Sequence, residues 1–244
     1  MDLNKVYCCD CMEGLTSIGA ASVDLIVTDP PYNTGMDSDS NKTTETGDRV
    51  RLNNFFDDNY TDYDYKRLVR DWASEMERVL KPNKAAYIFI NFKSYPVWYE
   101  SLIKAGFQIK NCIVWDKIVH GLNYQNYAYT HEFIIFAVKG DFKLVKKTDF
   151  YKDVWHLSRC LGSELAEFDS HETIKPLPLI REIITQASKE GDIVLDMFAG
   201  TGTTLLAAKQ LNRSYIGFEI MPKYYDIILK RLQQTMLTDL EAKS

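Results

Sequence analysis

The chain has 244 residues, 45% hydrophobic and 26% charged, with 29 Lys+Arg against 34 Asp+Glu for a formal net charge of -5. That composition supports a sizeable core and excludes collagen-like, coiled-coil and wholly disordered chains. No run is long and apolar enough to cross a bilayer, and Met1–Asp10 lacks the basic start and apolar stretch of a signal peptide, so a single cytoplasmic domain over 1–244 with no membrane partner is expected.

Three of the five cysteines crowd into Cys8, Cys9 and Cys11, and no CxxC occurs. Adjacent Cys8 and Cys9 point to opposite faces of a strand, so a reduced protein without a metal site is the expectation.

In chain order, Lys5–Cys8 is a short strand candidate. Val23–Thr28 (VDLIVT) is a mostly apolar run of the kind buried in a parallel sheet, and it stops at Asp29-Pro30-Pro31-Tyr32. Residues 33–64 read as a mobile acidic insertion with eight acids and three bases, and so carry -5. Tyr65–Leu80 has the apolar stripe of an amphipathic helix, ended by Lys81-Pro82-Asn83. Ala85–Asn91 is a strand, Pro96–Ala105 a helix closed by Gly106, and Phe107–Trp115 and Glu132–Val138 two further strands. Then come the helix Leu177–Ala187, the strand Ile193–Asp196, a glycine turn, the helix Thr203–Leu211, the strand Ser214–Glu219 and the helix Pro222–Thr235. Strands alternating with helices predict a doubly wound α/β sheet, with ligands above its carboxyl edge.

The stretch VLDMFAGTGTT (194–204) is strand, acid, glycine turn, helix. It has the geometry of a nucleotide-like cofactor site but matches neither a Walker A loop nor the full G-x-G-x-x-G. Glu219 ends the next strand, 17 residues after Gly202, where an acid can take both hydroxyls of a ribose. Asp196 is poor company for a pyrophosphate and suits a cofactor carrying a cationic amine. The pair favours S-adenosylmethionine over NAD or ATP.

Asp29-Pro30-Pro31-Tyr32 makes a stiff turn beyond a buried strand. The Asp29 carboxylate and the Pro30 carbonyl can accept hydrogen bonds from an exocyclic amine, and Tyr32 can stack on a planar base. With VDLIVTDPPYN (23–33), VLDMFAGTGTT (194–204) and RSYIGFEI (213–220) in this order, the chain resembles the β class of the DNA amino-methyltransferases, which modify N6 of adenine or N4 of cytosine.

The resemblance implies a Rossmann-like, S-adenosylmethionine-dependent methyltransferase fold with circularly permuted motif order and a mostly parallel seven-stranded sheet. It implies cofactor contacts from Asp10 and Cys11 to the adenine, from Phe198, Ala199 and Gly200 to the methionine and ribose, from Glu219 to the ribose, and from Thr173 and Lys175 near the cofactor carboxylate. Asp29, Asp196, Gly202 and Thr203 complete the expected cofactor set, and Asp29, Pro30, Pro31 and Tyr32 the expected catalytic set. The family prolines after Asp196 and His171 are replaced by Met197 and Glu172. An acid opening the catalytic motif leans to adenine in this family. Cytosine N4 methylation, an RNA substrate and a non-catalytic partner subunit are the competing readings.

For the DNA, the window 139–152 is +3 and supplies Lys139, Lys143, Lys146, Lys147 and Lys152 as candidate phosphate contacts, with Arg49, Arg51, Tyr124 and Arg159 as further candidates. Residues 116–175 leave room only for a short target-recognition region, so a short or unusual recognition element, help from a second subunit or a short target is expected, with a homodimer as the working hypothesis. A restriction endonuclease partner is a further expectation.

Overall fold

The structure is a computed structural model and describes residues 1–33, 60–118, 127–146, 148, 151–159 and 174–241. Its strands are β1 (Lys5–Cys8), β2 (Val23–Thr28), β3 (Leu80–Ile90), β4 (Gln108–Asp116), β5 (His131–Lys139), β6 (Val154–His156), β7 (Ile193–Asp196) and β8 (Ser214–Glu219). Its helices are α1 (Cys11–Leu15), α2 (Asp62–Val79), α3 (Tyr95–Ala105), α4 (Leu177–Ala187), α5 (Thr203–Gln210) and α6 (Pro222–Glu241).

The strands form one sheet in the order β1-β8-β7-β2-β3-β5-β4-β6. Every neighbouring pair is parallel except the two made by β5, which runs against the rest. The sheet therefore has eight strands where the sequence suggests seven. The extra one, β6, is a three-residue edge strand, too short to show a period. Strand β3 also begins earlier than expected. Val23 pairs with Leu80 and Leu25 with Ala85, so Pro82 and Asn83 (φ 59°) form an irregularity inside the strand instead of a stop before it.

All six residues of β2 are buried, as a strand covered on both faces requires. On one face α1, α2 and α3 pack Leu15, Val69, Met76, Trp98 and Leu102 against Ile26, Ile88 and Phe218. On the other face Leu179, Ile183, Leu205 and Ile228 from α4, α5 and α6 pack against Leu25, Val27 and Val194. Helix α2 starts with reciprocal capping, because Thr61 Oγ1 accepts from the Asp64 amide at 3.1 Å and donates to its carboxylate at 2.7 Å. Helix α3 ends at Gly106 with φ 110°, a left-handed cap.

The chain winds one way from β2 to β3 and the other way from β7 to β8, so β2 and β7 are neighbours at the reversal of strand order. A crevice opens at this point in doubly wound sheets. The residues just past β1, β2, β7 and β8, and those just before β5, share this one edge.

Close approach of α1 to β8 sets the position of Glu219. A Cβ on Gly14 would lie 2.2 Å from the Phe218 ring. Gly14→Ala should therefore lower stability by about 1–3 kcal/mol by overpacking, read as a lower urea midpoint at constant slope. An unchanged midpoint would show that α1 is free to shift.

Candidate active site at the carboxyl edge

Two polar contacts hold the backbone beyond β2 and two more brace them. Tyr65 OH donates to the Pro31 carbonyl at 2.9 Å, and Ser94 Oγ donates to the Tyr32 carbonyl at 2.6 Å. The Tyr60 amide donates to Asn33 Oδ1 at 2.8 Å, and the Trp98 indole N–H reaches Tyr65 OH at 3.3 Å. The two helices that cover this face thus hold the turn as a rigid rim. Thr28 ties the turn to the glycine motif: its Oγ1 donates to Asp196 Oδ1 at 2.9 Å and accepts from the Met197 amide at 3.2 Å.

The Asp29 carboxylate accepts from Tyr32 OH on one oxygen and from Lys175 Nζ on the other. Lys175, just before α4, is 8% exposed and also lies 3.4 Å from Glu132 Oε2. Lys117 pairs with the other oxygen of Glu132 at 2.5 Å. A chain of alternating charge, Asp29–Lys175–Glu132–Lys117, therefore runs from the end of β2 across β5 to the residue after β4.

The electrostatics follow from this order. Burial pushes the Asp29 carboxyl up and Glu132 adds to the push, with Lys175 opposing both. Burial alone would lower Lys175, but Asp29 and Glu132 outweigh it and hold the ammonium charged. Burial would raise Glu132, and Lys175 and Lys117 overcome it to keep that carboxylate ionised. Burial drives Tyr32 well above the ordinary phenol range, so its OH stays a donor to Asp29. Asp29 is thus the more basic carboxylate of the two.

The glycine motif builds the other wall. Gly200 has φ 54° and no atom within 4 Å of where a Cβ would stand, so its backbone is open to a ligand. Its amide donates to Glu219 Oε2 at 2.7 Å, and the Met221 amide to Oε1 at 2.8 Å. Gly202, φ 83°, has no such space, since a Cβ would meet Ile228 at 2.9 Å. Burial pushes Asp196 up to about 6 and Glu219 up to about 7.

Of the expected residues, Asp10 caps α1 through the Met12 amide at 2.8 Å, and Cys11 is buried beneath it. Pairing of β1 with β8 sets Cys8 opposite Glu219, which brings Asp10 to the same edge. The Phe198 ring packs edge-on against Trp72 at 5.0 Å, and Ala199 is buried with its amide on the Phe218 carbonyl. Thr203 faces Arg231, which donates to its hydroxyl at 3.3 Å and to the Thr201 carbonyl at 2.6 Å. Pro30 is buried behind Asp29. The Lys175 ammonium, expected near a cofactor carboxylate, is engaged by Asp29 and Glu132.

The basic window is not gathered at this edge. Lys139 pairs with Lys84 at the opposite end of β5, where its ammonium binds Glu77 at 2.9 Å and the Leu80 carbonyl at 3.0 Å. Lys143 and Lys146 follow it there and are exposed, and Lys152 is exposed just before β6. Arg159, past β6, is on the carboxyl side. Arg49, Arg51, Tyr124, Lys147, Thr173 and most of the insertion 33–64 lie outside the described residues. The site edge instead carries exposed rings, Phe92 stacked on Tyr129 at 6.2 Å and 19°.

Sequence reasoning missed Glu132 and Lys117. A signal existed for the first, since β5 is covered on both faces and Glu132 is in phase with buried Ile134 and Val138 on one of them. An acid in that register needs a buried partner. A cavity of about 520 Å³, lined by Tyr87, Phe136, Tyr151, Trp155 and Gln186 among others, contains none of the motif residues.

Comparison with known proteins identifies the family and the fold. A family model described as DNA methylase (N6_N4_Mtase) matches residues 23–230. The type II methyltransferase M.HinfI of Haemophilus influenzae is 32% identical over 250 residues, covering 95% of this chain and 69% of that protein. M2.DpnII of Streptococcus pneumoniae, also a type II methyltransferase, is 31% identical over 243 residues, covering 92% and 87%. The crystal structure of an M1.HpyAVI–SAM complex superposes with a TM-score of 0.71 at 26% identity, over 93% of this chain and 98% of that one. The cytosine-N4-specific PvuII DNA methyltransferase shares the fold, with a TM-score of 0.74 at 18% identity over 93% and 85%. The chain belongs to the DNA methylase family, the amino-methyltransferases that act on N6 of adenine or N4 of cytosine in DNA.

Proposed function

We propose that the protein is a site-specific DNA adenine N6-methyltransferase that uses S-adenosylmethionine. The observation that carries this reading is the Asp29 carboxylate, raised in basicity and rigidly held, beside the open Gly200 backbone and two buried acids. The acid at the head of the catalytic motif is the ground for adenine over cytosine.

The donor set fits that cofactor. Asp196 and Glu219 are buried acids, and the Arg231 guanidinium is turned onto Thr201 and Thr203. Such a wall disfavours a phosphate and favours a ribose with a cationic amine. Glu219 would hold the ribose and Asp196 the methionine amine, with Asp10, Cys11, Phe198 and Gly200 around them. When bound, the cofactor supplies an electrophilic methyl on a sulfonium sulfur.

The protein's own groups then do the rest. The flipped adenine stacks on Tyr32, and its N6 hydrogens bond to Asp29 and the Pro30 carbonyl. These acceptors turn the nitrogen lone pair away from the ring, toward the cofactor side. With the cofactor bound, the amine lone pair would form the new N–C bond as the S–C bonding pair returned to sulfur, leaving a neutral thioether, and the one proton shed by the nitrogen would go to the raised Asp29 carboxylate or through it to water. Most of the acceleration comes from alignment and from fixed charges in a dry site.

Among the described residues, Phe92, Tyr129 and Arg159 lie on the carboxyl side and are candidates to meet the DNA around the extruded base. The small footprint supports a homodimer on the target, with a restriction endonuclease as a further partner. A dimer in sedimentation with DNA is expected, and a strict monomer with and without DNA would sink it.

Asp29→Ala should lower methyl transfer by about 10³-fold or more while cofactor affinity by calorimetry stays within a few-fold. Near-normal transfer in that variant would refute the assignment. Glu219→Ala should weaken cofactor binding by about tenfold or more, and unchanged affinity would remove its role.

The pH dependence has a defined sign. Asp196 and Glu219 are pushed up to about 6 and about 7, and binding a ribose and an ammonium favours their ionised forms. Cofactor binding should therefore release protons and tighten as pH rises from 5.5 to 8. Glu219→Gln should flatten the upper part of that rise. A wild-type affinity independent of pH would contradict it.

A further inference from the structure

Resting on the reading of Asp29 as the base-amine acceptor, one buried group has no part in the mechanism so far. Glu132 stands at the start of β5, and among the described residues its fully enclosed Oε2 accepts no hydrogen bond of good geometry. A buried carboxylate oxygen so weakly satisfied is rare in folded proteins and asks for a reason. Its neighbour at 3.4 Å is the Lys175 ammonium, which meanwhile hydrogen-bonds Asp29.

Asp29 has a matching difficulty. One of its oxygens accepts from Tyr32 and the other from Lys175. A carboxylate has about four acceptor sites, but an incoming amine hydrogen shares an oxygen with one of these donors and weakens its bond. If Lys175 simply let go, it would leave a buried ammonium without a hydrogen-bonded counter-ion, which is strongly unfavourable.

We propose that Glu132 is the second seat of the Lys175 ammonium: as the target amine takes Asp29, Lys175 shifts its hydrogen bond from Asp29 Oδ2 to Glu132 Oε2.

Three features support the hand-over. The shift is short, because the ammonium already stands 3.4 Å from its second acceptor. The receiving carboxylate is fixed, since Lys117 grips its Oε1 at 2.5 Å and β5 is paired on both sides by β3 and β4. The ammonium is guided by rings on either hand, with Nζ 5.2 Å from the Phe89 centroid and 5.8 Å from that of Tyr32. The charge therefore stays compensated while the Asp29 oxygen is exchanged between Lys175 and the base. Glu132 acts through Lys175 and is a positioning residue, not a catalytic one.

The test is a double-mutant cycle of E132Q and K175M, read by single-turnover methyl transfer at saturating cofactor and DNA, with cofactor affinity by calorimetry. E132Q keeps the shape and removes the charge that receives Lys175. It should slow transfer by about 10–100-fold with cofactor affinity unchanged, and should have under about threefold effect in the K175M background. A wild-type transfer rate in E132Q, or an undiminished loss in K175M, would overturn the hand-over.

A second measurement needs no variant. In a crystal structure of the wild-type protein with substrate oligonucleotide and a non-reactive cofactor analogue, Lys175 Nζ should stand about 2.8 Å from Glu132 Oε2 and be off Asp29. Lys175 still bonded to Asp29 beside the bound base would refute it. D29A serves as the control that separates the two readings. Active D29A would discard the site assignment itself, whereas silent D29A with fully active E132Q would discard the hand-over alone.

Discussion

A buried ammonium shared by two carboxylates is the constraint around which the site is built. Lys175 arrives from the segment before α4, Asp29 from the end of β2 and Glu132 from the start of β5. No charge among these is tolerable in the interior without the others. Their compensation lets Asp29 sit at low exposure beside the crevice with a carboxyl of raised basicity, as the proposed role of proton acceptor requires. It also gives Asp29 a higher basicity than Glu132, because Lys117 supports only the latter.

The fold supplies the positions and little else. Reversal of the strand order between β2 and β7 opens the crevice, and Thr28 stitches its two walls at one hydroxyl. On one side Tyr65, Ser94 and Trp98 clamp the Asp29–Tyr32 backbone. On the other the Gly200 amide and Met221 amide aim Glu219.

The sequence was most informative where chemistry and local structure coincide. Asp29, Asp196, Gly200 and Glu219 each end a strand or open a turn, and a strand end with an acid or a positive-φ glycine can be read within a few residues. The charge relay behind Asp29 was not legible, because Glu132 and Lys175 belong to different segments that meet only through the order of strands. The direction of β5 was hidden for the same reason. Antiparallel to its neighbours, it carries Glu132 to the site and Lys139 to the far edge, where the latter ties β5 to α2 instead of standing in a basic stripe with Arg159. The net charge of -5 equals that of residues 33–64 alone, of which Asp62 and Asp64 open α2, and says little about the site edge, where exposed rings stand near the Asp29–Tyr32 turn.

The central claim is that the carboxylate-held amine is N6 of adenine in DNA. Nucleoside analysis by mass spectrometry of duplex DNA treated with the purified protein and S-adenosylmethionine tests it most directly. The account predicts N6-methyladenine as the product, absent when the cofactor is omitted. N4-methylcytosine alone, or methylation of matched RNA with none in DNA, would contradict it.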